Sequence, residues 1–366
     1  MKIERLAVRQ FRNLRDFVFE PRDGINVIYG KNAQGKTNLL EAMWLFTGGK
    51  SFRGARDSEM IEFGAETARL DMNFFCEERS QNAVILIQNK KRNASLNGVE
   101  KNSALDLMGK FRAVIFSPEH LSLVKAGPAM RRNFVDGALC QIKPVYARLL
   151  YQYNRTLAQR NALLKDIPRH SELLDTLEIW DEKLSRYGGE IIRERFSYLK
   201  RLDPSAKEIY EGISRNSEEF SLHYRCGVIQ KKGGAEHYSK EMREALSAAR
   251  SDDVAAGFTT VGPHRDDVEI SVDGFSARSY ASQGQQRSAV LALKLAEAVL
   301  LEQKTQEEPV VFLDDVMSEL DAGRQDYLLN HLEKRQIFIT CCEPETVGRL
   351  SGGGRFEMEN GRLFVR

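Results

Sequence analysis

The segment Gly30-Lys31-Asn32-Ala33-Gln34-Gly35-Lys36-Thr37 constrains this chain more than any other. It matches GxxxxGK[ST], a loop that curls its backbone N–H groups around phosphate oxygens and needs glycine where a Cβ would collide. Average residue usage gives a chance match in roughly one chain in a hundred of this length. Here the match also follows a β-type run, Ile25 to Tyr29, and precedes a helical pattern, Asn38 to Phe46, in which Leu39, Leu40, Met43 and Leu45 are available for burial. Strand, loop and helix in that order predict an α/β core. Lys36 would face the β and γ phosphates of a nucleotide, and Thr37 would give its hydroxyl to Mg2+ beside the helix N-terminus.

A phosphate loop needs an acidic partner for the metal. Val310 to Leu313 is an apolar run ending at Asp314-Asp315, and α/β sheets bind ligands at the C-terminal ends of their strands. On its own, a strand ending in two solvated acids is the commoner situation. In a chain that already holds a phosphate loop, Asp314 is expected to hold Mg2+, directly or through water. Asp315 is expected to orient or deprotonate the attacking water as the catalytic acid. Gln336 to Thr340 reads as a further buried strand. These strands lie near opposite ends of the sequence, so one lobe built from both ends with a second lobe inserted is the economical architecture. The expected lobes are 1–116 with 306–366, and 117–305.

The inserted stretch has its own signals. Between Pro144 and about Ile213, two helical stretches flank the break at Ile167-Pro168. Tyr146, Leu149, Tyr153, Leu157 and Leu164 form one stripe. Leu173, Leu177, Trp180, Leu184, Tyr187 and Ile191 form the other, stepping by three and four. An antiparallel helical hairpin with arms of ~20 residues, about 30 Å each, is predicted. In the N-terminal third, Ile3 to Val8 is a strand, Leu70 to Val99 reads as hairpins, and Asn97-Gly98 and Asn360-Gly361 are two-residue turns. Composition supports a packed protein: 366 residues, 42% hydrophobic and 29% charged, leave ample material for a core. The longest apolar stretch, Ala289 to Leu301, carries Lys294 and Glu297, so no membrane span is expected. The five cysteines (Cys76, Cys140, Cys226, Cys341, Cys342) show no CxxC spacing, and the start has no apolar signal core. A reduced cytoplasmic protein is expected. Net charge is only +2, so any nucleic-acid contact must come from local patches.

Ser282-Gln283-Gly284-Gln285-Gln286-Arg287 opens an Ala/Leu helix. Ser282 is a sensible N-cap there. The sharper reading is a second phosphate-gripping helix start. Since one loop already serves the site, Ser282, Gly284 and Gln285 would be most useful in trans, two copies sandwiching two nucleotides. Ser318-Glu319-Leu320-Asp321 fits the same arrangement.

With these four elements in order, the sequence resembles the ABC-type ATPases, in which Asp321 marks the D-loop. Within that group it is similar to the RecF family of bacterial replication and recombinational-repair ATPases. That closer resemblance rests on Phe11-Arg12-Asn13, Lys50-Ser51-Phe52-Arg53 and Ser117-Pro118-Glu119-His120-Leu121. It rests also on Gly127-Pro128 with Arg131-Arg132, Phe134 and Asp136, and on Gly262-Pro263-His264-Arg265-Asp266-Asp267. It covers essentially the whole chain. Longer relatives of the SMC type interrupt the ATPase with hundreds of coiled-coil residues, for which this chain has no space. The resemblance implies an ATP-dependent homodimer that closes on DNA, hydrolyses ATP slowly, and works with RecO and RecR in recombinational repair, fork maintenance and the SOS response. Two positions depart from common ABC patterns. The catalytic acid is Asp315 where many have Glu, and Thr340-Cys341-Cys342-Glu343 stands where transporters carry a switch His.

Arg131, Arg132, Arg148, Arg155 and Arg160, with Lys90-Lys91-Arg92 and Lys200-Arg201, are the residues expected to meet DNA phosphates, although most basic residues are merely solvated. No interleaving of aromatic and basic residues suggests base stacking, so backbone contacts without sequence readout are expected. Two other classes compete with the DNA clamp. A transporter's nucleotide-binding subunit is opposed by the helical hairpin and the missing switch His. A small-molecule kinase has no use for Ser282 to Arg287.

Overall fold

The computed structural model describes residues 1–229, 233–343 and 353–366. The chain divides into two compact units, Met1–Ser122 with Glu208–Glu218 and Ser282–Arg366, and Leu123–Lys207 with Glu219–Ala281. Both chain ends therefore meet in one unit, as the placement of the loop and the acid-ended strand requires. The boundaries differ from the expected ones. The helix after Ser282 and residues 208–218 group with the nucleotide-binding unit, because the helix packs its apolar length there.

In the first unit a six-stranded sheet runs in the order Arg362–Val365, Gly354–Glu359, Ile25–Tyr29, Ile337–Cys341, Val310–Asp314, Ala113–Phe116, parallel except for the terminal hairpin. Val310–Asp314 and Ile337–Cys341 are buried throughout, as strands covered on both faces are. The register sets Thr340 beside Asp314 on one side and Ile28 on the other, which brings the acid-ended strand level with the phosphate loop. A second, antiparallel sheet runs Phe17–Phe19, Lys2–Arg9, Thr67–Cys76, Arg79–Gln88, Lys91–Leu96, Val99–Lys101. Its inward residues Leu70, Met72, Phe74, Ile85 and Ile87 share one core with Leu39, Met43, Phe312 and Phe338. Buried Gln336 joins the sheets, accepting from the Ile3 N–H at 2.7 Å and donating to its carbonyl at 3.0 Å. The expected turns are present: Asn97-Gly98 and Asn360-Gly361 both take positive φ at each residue. The helix Gln283–Thr305 buries nearly every side chain from Gln286 to Leu301. The two charges that argue against a membrane span, Lys294 and Glu297, pair with each other inside it at 2.5 Å.

The second unit holds a three-stranded sheet, Phe275–Ser276, Asp267–Val272, Phe220–Arg225, and most of the helical hairpin. The first arm, Pro144–Asp166, has 23 residues, close to expectation. The second, Leu177–Ser214, has 38 and continues through Pro204. An interior proline removes the bond its N–H would have made, here to the Lys200 carbonyl, and its ring crowds that carbonyl. Gly188 and Gly189 inside this arm admit Met242 and Ser239, which a Cβ would meet within 2.1 and 2.4 Å.

Buried ion pairs organise this unit and correct the reading of its arginines. Arg160 is wholly buried and donates to Asp181 at 2.7 Å, Asp253 at 2.6 Å and Thr259 at 2.9 Å. Arg131, also buried, grips Asp267 with both Nε and Nη2, and its Nη1 reaches the carbonyls of Leu123, Val124 and Ala126. Neither side chain is available to DNA, since breaking such a pair strands a buried charge. Arg132 is half-buried and donates to the Asp266 carbonyl at 2.7 Å. In the first unit, Arg92 is likewise tied to the Gly49 carbonyl. Arg148, Arg155, Lys200 and Arg201 are exposed. Gly262 to Asp267 turns out to be a structural knot. Asp266 accepts from the Tyr224 hydroxyl at 2.5 Å, and His264 sits between the Tyr153 hydroxyl and the Thr259 carbonyl.

Candidate nucleotide site

The loop between Tyr29 and Lys36 needs its glycines for stated reasons. Gly30 has φ 151°, and a Cβ there would approach the Met358 carbonyl oxygen to 2.3 Å. Gly35 has φ 114°, and its Cβ would strike Leu14 at 2.7 Å. The loop is pinned from outside. The Gly361 N–H donates to the Gln34 carbonyl at 3.1 Å, and Asn13 donates to the Ala33 carbonyl at 3.0 Å. Lys36, 4% exposed, spans the loop and donates to the carbonyls of Gly30 at 2.7 Å and Lys31 at 3.2 Å.

The two acids at the strand end lie beside the loop. Thr37 Oγ1 donates to Asp314 Oδ1 at 2.9 Å, and so does Thr340 Oγ1, also at 2.9 Å. The Asp315 N–H donates back to Thr340 Oγ1 at 2.9 Å, so this one hydroxyl holds both acids. Burial pushes the Asp314 carboxyl up to about 6, against the hydrogen bonds from Thr340 and Thr37. Asp315 is also raised by burial, and Lys36 pulls it back. Asp315, with φ 51°, lines a cleft of about 900 Å³ together with Asn32, Gly35, Lys36 and Thr37. That volume suits a nucleotide.

Two blocks of the sequence gain a physical role here. Glu41, wholly buried on the phosphate-loop helix Lys36–Trp44, accepts from Arg12 at 2.5 and 3.0 Å and from Ser51. On the same helix, Asn38 donates to Asn13 at 2.7 Å and accepts from Arg53 at 2.9 Å. Phe11-Arg12-Asn13 and Lys50-Ser51-Phe52-Arg53 therefore brace the helix that follows the loop. Thr340 and this network lack a spacing signal of their own. In the place of a switch His, Cys342 donates to Asn32 Oδ1 at 3.1 Å, with its sulfur 4.0 Å from Lys36 Nζ.

Ser282 caps the helix Gln283–Thr305, its Oγ accepting from the Gln285 N–H at 3.2 Å while Gln285 Oε1 accepts from the Ser282 N–H at 2.7 Å. Gln285 also donates to Glu218 at 2.9 Å. Arg324 ties this turn to Asp321: its guanidinium reaches the Gly284 carbonyl at 3.2 Å, Ser288 Oγ at 3.0 Å and the Asp321 carboxylate. Among the described residues lining the cleft, none comes from 282–287. The Ser282 turn and the loop from Gly30 to Thr37 therefore do not line one cleft.

Next to the strand Ala113–Phe116, His120 Nδ1 meets Ser117 Oγ at 2.9 Å. Burial, helped by the Lys294 charge, pushes this imidazole down to about 3. The unfolded chain takes up a proton near pH 6.5 while the folded one does not until far lower. Stability is therefore present above pH 6.5 and lost as pH falls toward 3, by about 2 kcal/mol at pH 5 from this group. His120→Gln is expected to flatten the difference in urea midpoint between pH 7 and pH 5. An unchanged pH slope would remove His120 from that role.

The parallel sheet with its phosphate loop, the acid-ended strand and the capped Ser-x-Gly turn define an ATPase head of the ABC type. The chain belongs to the RecF/RecN/SMC family, whose N-terminal domain model matches residues 2–361. Its relatives include proteins named DNA replication and repair protein RecF. That of Acetivibrio thermocellus is 37% identical, covering 100% of both chains, and that of Ruminiclostridium cellulolyticum is 40% identical, covering 96% of this chain and 95% of the other. Among solved structures, the recombination mediator protein RecF with ATP superposes with a TM-score of 0.93 at 37% identity, covering 100% of this chain and 97% of that one. The Smc head domain of Pyrococcus furiosus, at 16% identity and a TM-score of 0.55, shares the fold. These relatives favour the DNA-repair reading over a transporter subunit. No helix among the described residues is long and apolar enough to cross a membrane.

Proposed function

We propose that this chain is an ATP-binding protein of DNA replication and recombinational repair, a RecF-type ATPase that closes as an ATP-sandwiched homodimer on DNA. The observation that carries this is the gathering of Lys36, Thr37 and Asp315 at one cleft, with buried Asp314 bonded to Thr37 and the Ser282 turn outside the cleft. Mg2+ fits Thr37 Oγ1 and Asp314 Oδ1, hard oxygen donors 2.9 Å apart, because this ion takes one or two protein oxygens and fills its shell from phosphate and water. Bound there, it would neutralise charge on the β and γ phosphates.

The chain's own residues do the rest. Lys36 binds the phosphates as a point charge. Thr340 fixes Asp314 and the Asp315 backbone, so the Asp315 carboxylate is aimed by the strand end and orients the attacking water. Ser282, Gly284 and Gln285 of one copy would complete the γ-phosphate site of the other, and Arg324 keeps that turn in register with Asp321. Hydrolysis would be slow and stimulated by DNA, serving as a switch. Exposed Arg148 and Arg155, two helical turns apart on Pro144–Asp166, and exposed Lys200 and Arg201 are candidates suited to DNA phosphates without sequence readout. RecO and RecR are the expected partners, in line with the RecFOR pathway named for the solved relative.

Ser282→Arg tests the arrangement. It would place a bulky cation where the partner's γ-phosphate docks, while costing the helix a cap worth about 1 kcal/mol. In sedimentation with ATP and duplex DNA, wild type should dimerise. The variant should stay monomeric yet bind ATP, with Ser282→Ala controlling for the lost cap. A normal ATP-dependent dimer of Ser282→Arg would sink the trans reading.

A further inference from the structure

The helix Pro144–Asp166 has an outward face that the buried ion pairs of its unit leave open. From Gly137 to Lys165 the sequence holds no Asp or Glu, in a chain that is 29% charged, and the first acid beyond is Asp166. The helix turns Arg160 inward to Asp181 and Asp253, while Arg148, Tyr151, Arg155 and Lys165 are exposed. Steps of three and four set Arg148, Tyr151 and Arg155 side by side. Lys165 falls about 40° from Tyr151 around the axis, and Arg148 to Lys165 spans about 25 Å. Among the described residues, the head groups of Arg155 and Lys165 and the Tyr151 hydroxyl make no hydrogen bond or ion pair. Tyr151 is 53% exposed. At the helix end, Lys165 Cγ lies 3.6 Å from where a Cβ on Gly257 would stand. Next along the chain, Phe258 is exposed, with the Arg265 guanidinium over its ring at 4.9 Å.

Cations spaced along an acid-free helix fit a polyanion. An exposed ring set between them gains from an occupant with a flat face of its own. Duplex DNA keeps its bases stacked within, and an acidic peptide would answer the cations and leave the ring idle. A single strand offers phosphates and unstacked bases together. We propose that this face is a track for single-stranded DNA, in which Arg148, Arg155 and Lys165 hold phosphates and Tyr151 stacks a base. The Phe258–Arg265 pair continues the track past Lys165. This rests on the DNA-binding reading above and adds base stacking to it. Basic and aromatic residues do not alternate along the sequence here. They interleave because the helix brings every third and fourth residue together, so the expected absence of interleaving fails on this face. Stacking on a π-face tolerates any base, and no sequence preference follows.

Fluorescence anisotropy of the full chain with ATP and Mg2+ tests the proposal, using a labelled oligothymidine strand, an abasic strand and a duplex of equal length. Tyr151→Ala should bind oligothymidine about ten-fold more weakly, with the abasic strand and the duplex unchanged. Tyr151→Trp should restore the loss. Arg155→Ala should weaken the oligothymidine and abasic strands alike and flatten their salt dependence. Unchanged oligothymidine affinity in Tyr151→Ala overturns the proposal, as does an equal loss for the abasic strand. Loss of ATP-dependent dimerisation alone would assign Tyr151 to the contact between copies and overturn it too. Wild type that binds the duplex and neither single strand overturns this proposal alone. Wild type that binds none of the three probes removes the DNA reading beneath it.

Discussion

Lys36→Ala is expected to lower ATP affinity by about 10² to 10³. The ammonium is the one fixed cation inside the loop, 4% exposed, and its present partners are the carbonyls of Gly30 and Lys31. Phosphate oxygens would compete with those carbonyls on favourable terms, because a charge-assisted bond to an anion is worth roughly twice a neutral one. Losing one or two such bonds costs about 3–4 kcal/mol, and each 1.4 kcal/mol is tenfold in affinity. Folding should survive, since the loop is also held by Asn13 and by Gly361. Thermal unfolding with ATP offers an independent check. Wild type should melt higher as ATP is added and the variant should not, because only ligand that binds the folded state stabilises it. Binding of labelled ATP at the wild-type level would refute the loop's assignment.

Much of this site is legible in the sequence because its chemistry sits on turns with strict backbone demands. Gly30 and Gly35 are where a Cβ collides, and Asp314-Asp315 ends a run apolar enough to be a central strand. That both strands share one sheet follows from those positions, since a phosphate loop and its acid must lie on nearby strands; the strand order does not. Side-chain networks between distant segments are less legible. Nothing in the spacing joins Glu41 to Arg12 and Ser51, or Arg324 to Gly284, because such pairs depend on how helices are rotated once packed. Arginines are the least legible of all. Arg160 and Arg155 lie on one helix within a few residues, yet one is a buried keystone between Asp181 and Asp253 and the other is exposed. Charge alone does not separate a DNA contact from the centre of a polar core. Where the two units divide is hard to read for a related reason. The Ala/Leu helix after Ser282 is apolar on nearly every side, and its pattern does not say which sheet it covers.

Asp315→Asn is expected to separate binding from hydrolysis. Asp314 keeps the metal position, and Lys36 and Thr37 keep the phosphates, so ATP should bind with near wild-type affinity. The amide is isosteric with the carboxyl and Thr340 still holds the backbone N–H, so the strand end should keep its shape. What disappears is a negative oxygen aimed into the cleft, which Lys36 favours in its ionised form even as burial raises its pKa. A positioned general base contributes typically 10² to 10⁴ in rate, and single-turnover hydrolysis should fall by about that factor. Because the closed dimer would be held by ATP shared between copies, blocking hydrolysis should lengthen its life on DNA. In a chase with excess competitor DNA, the variant should persist while wild type decays. If the variant hydrolyses ATP at the wild-type rate, or leaves DNA as quickly, Asp315 is only a strand end. Glu319, the next acid along, is already engaged by Arg287 at 2.7 Å, so Glu319→Gln would then have to show whether that pair opens to serve the water.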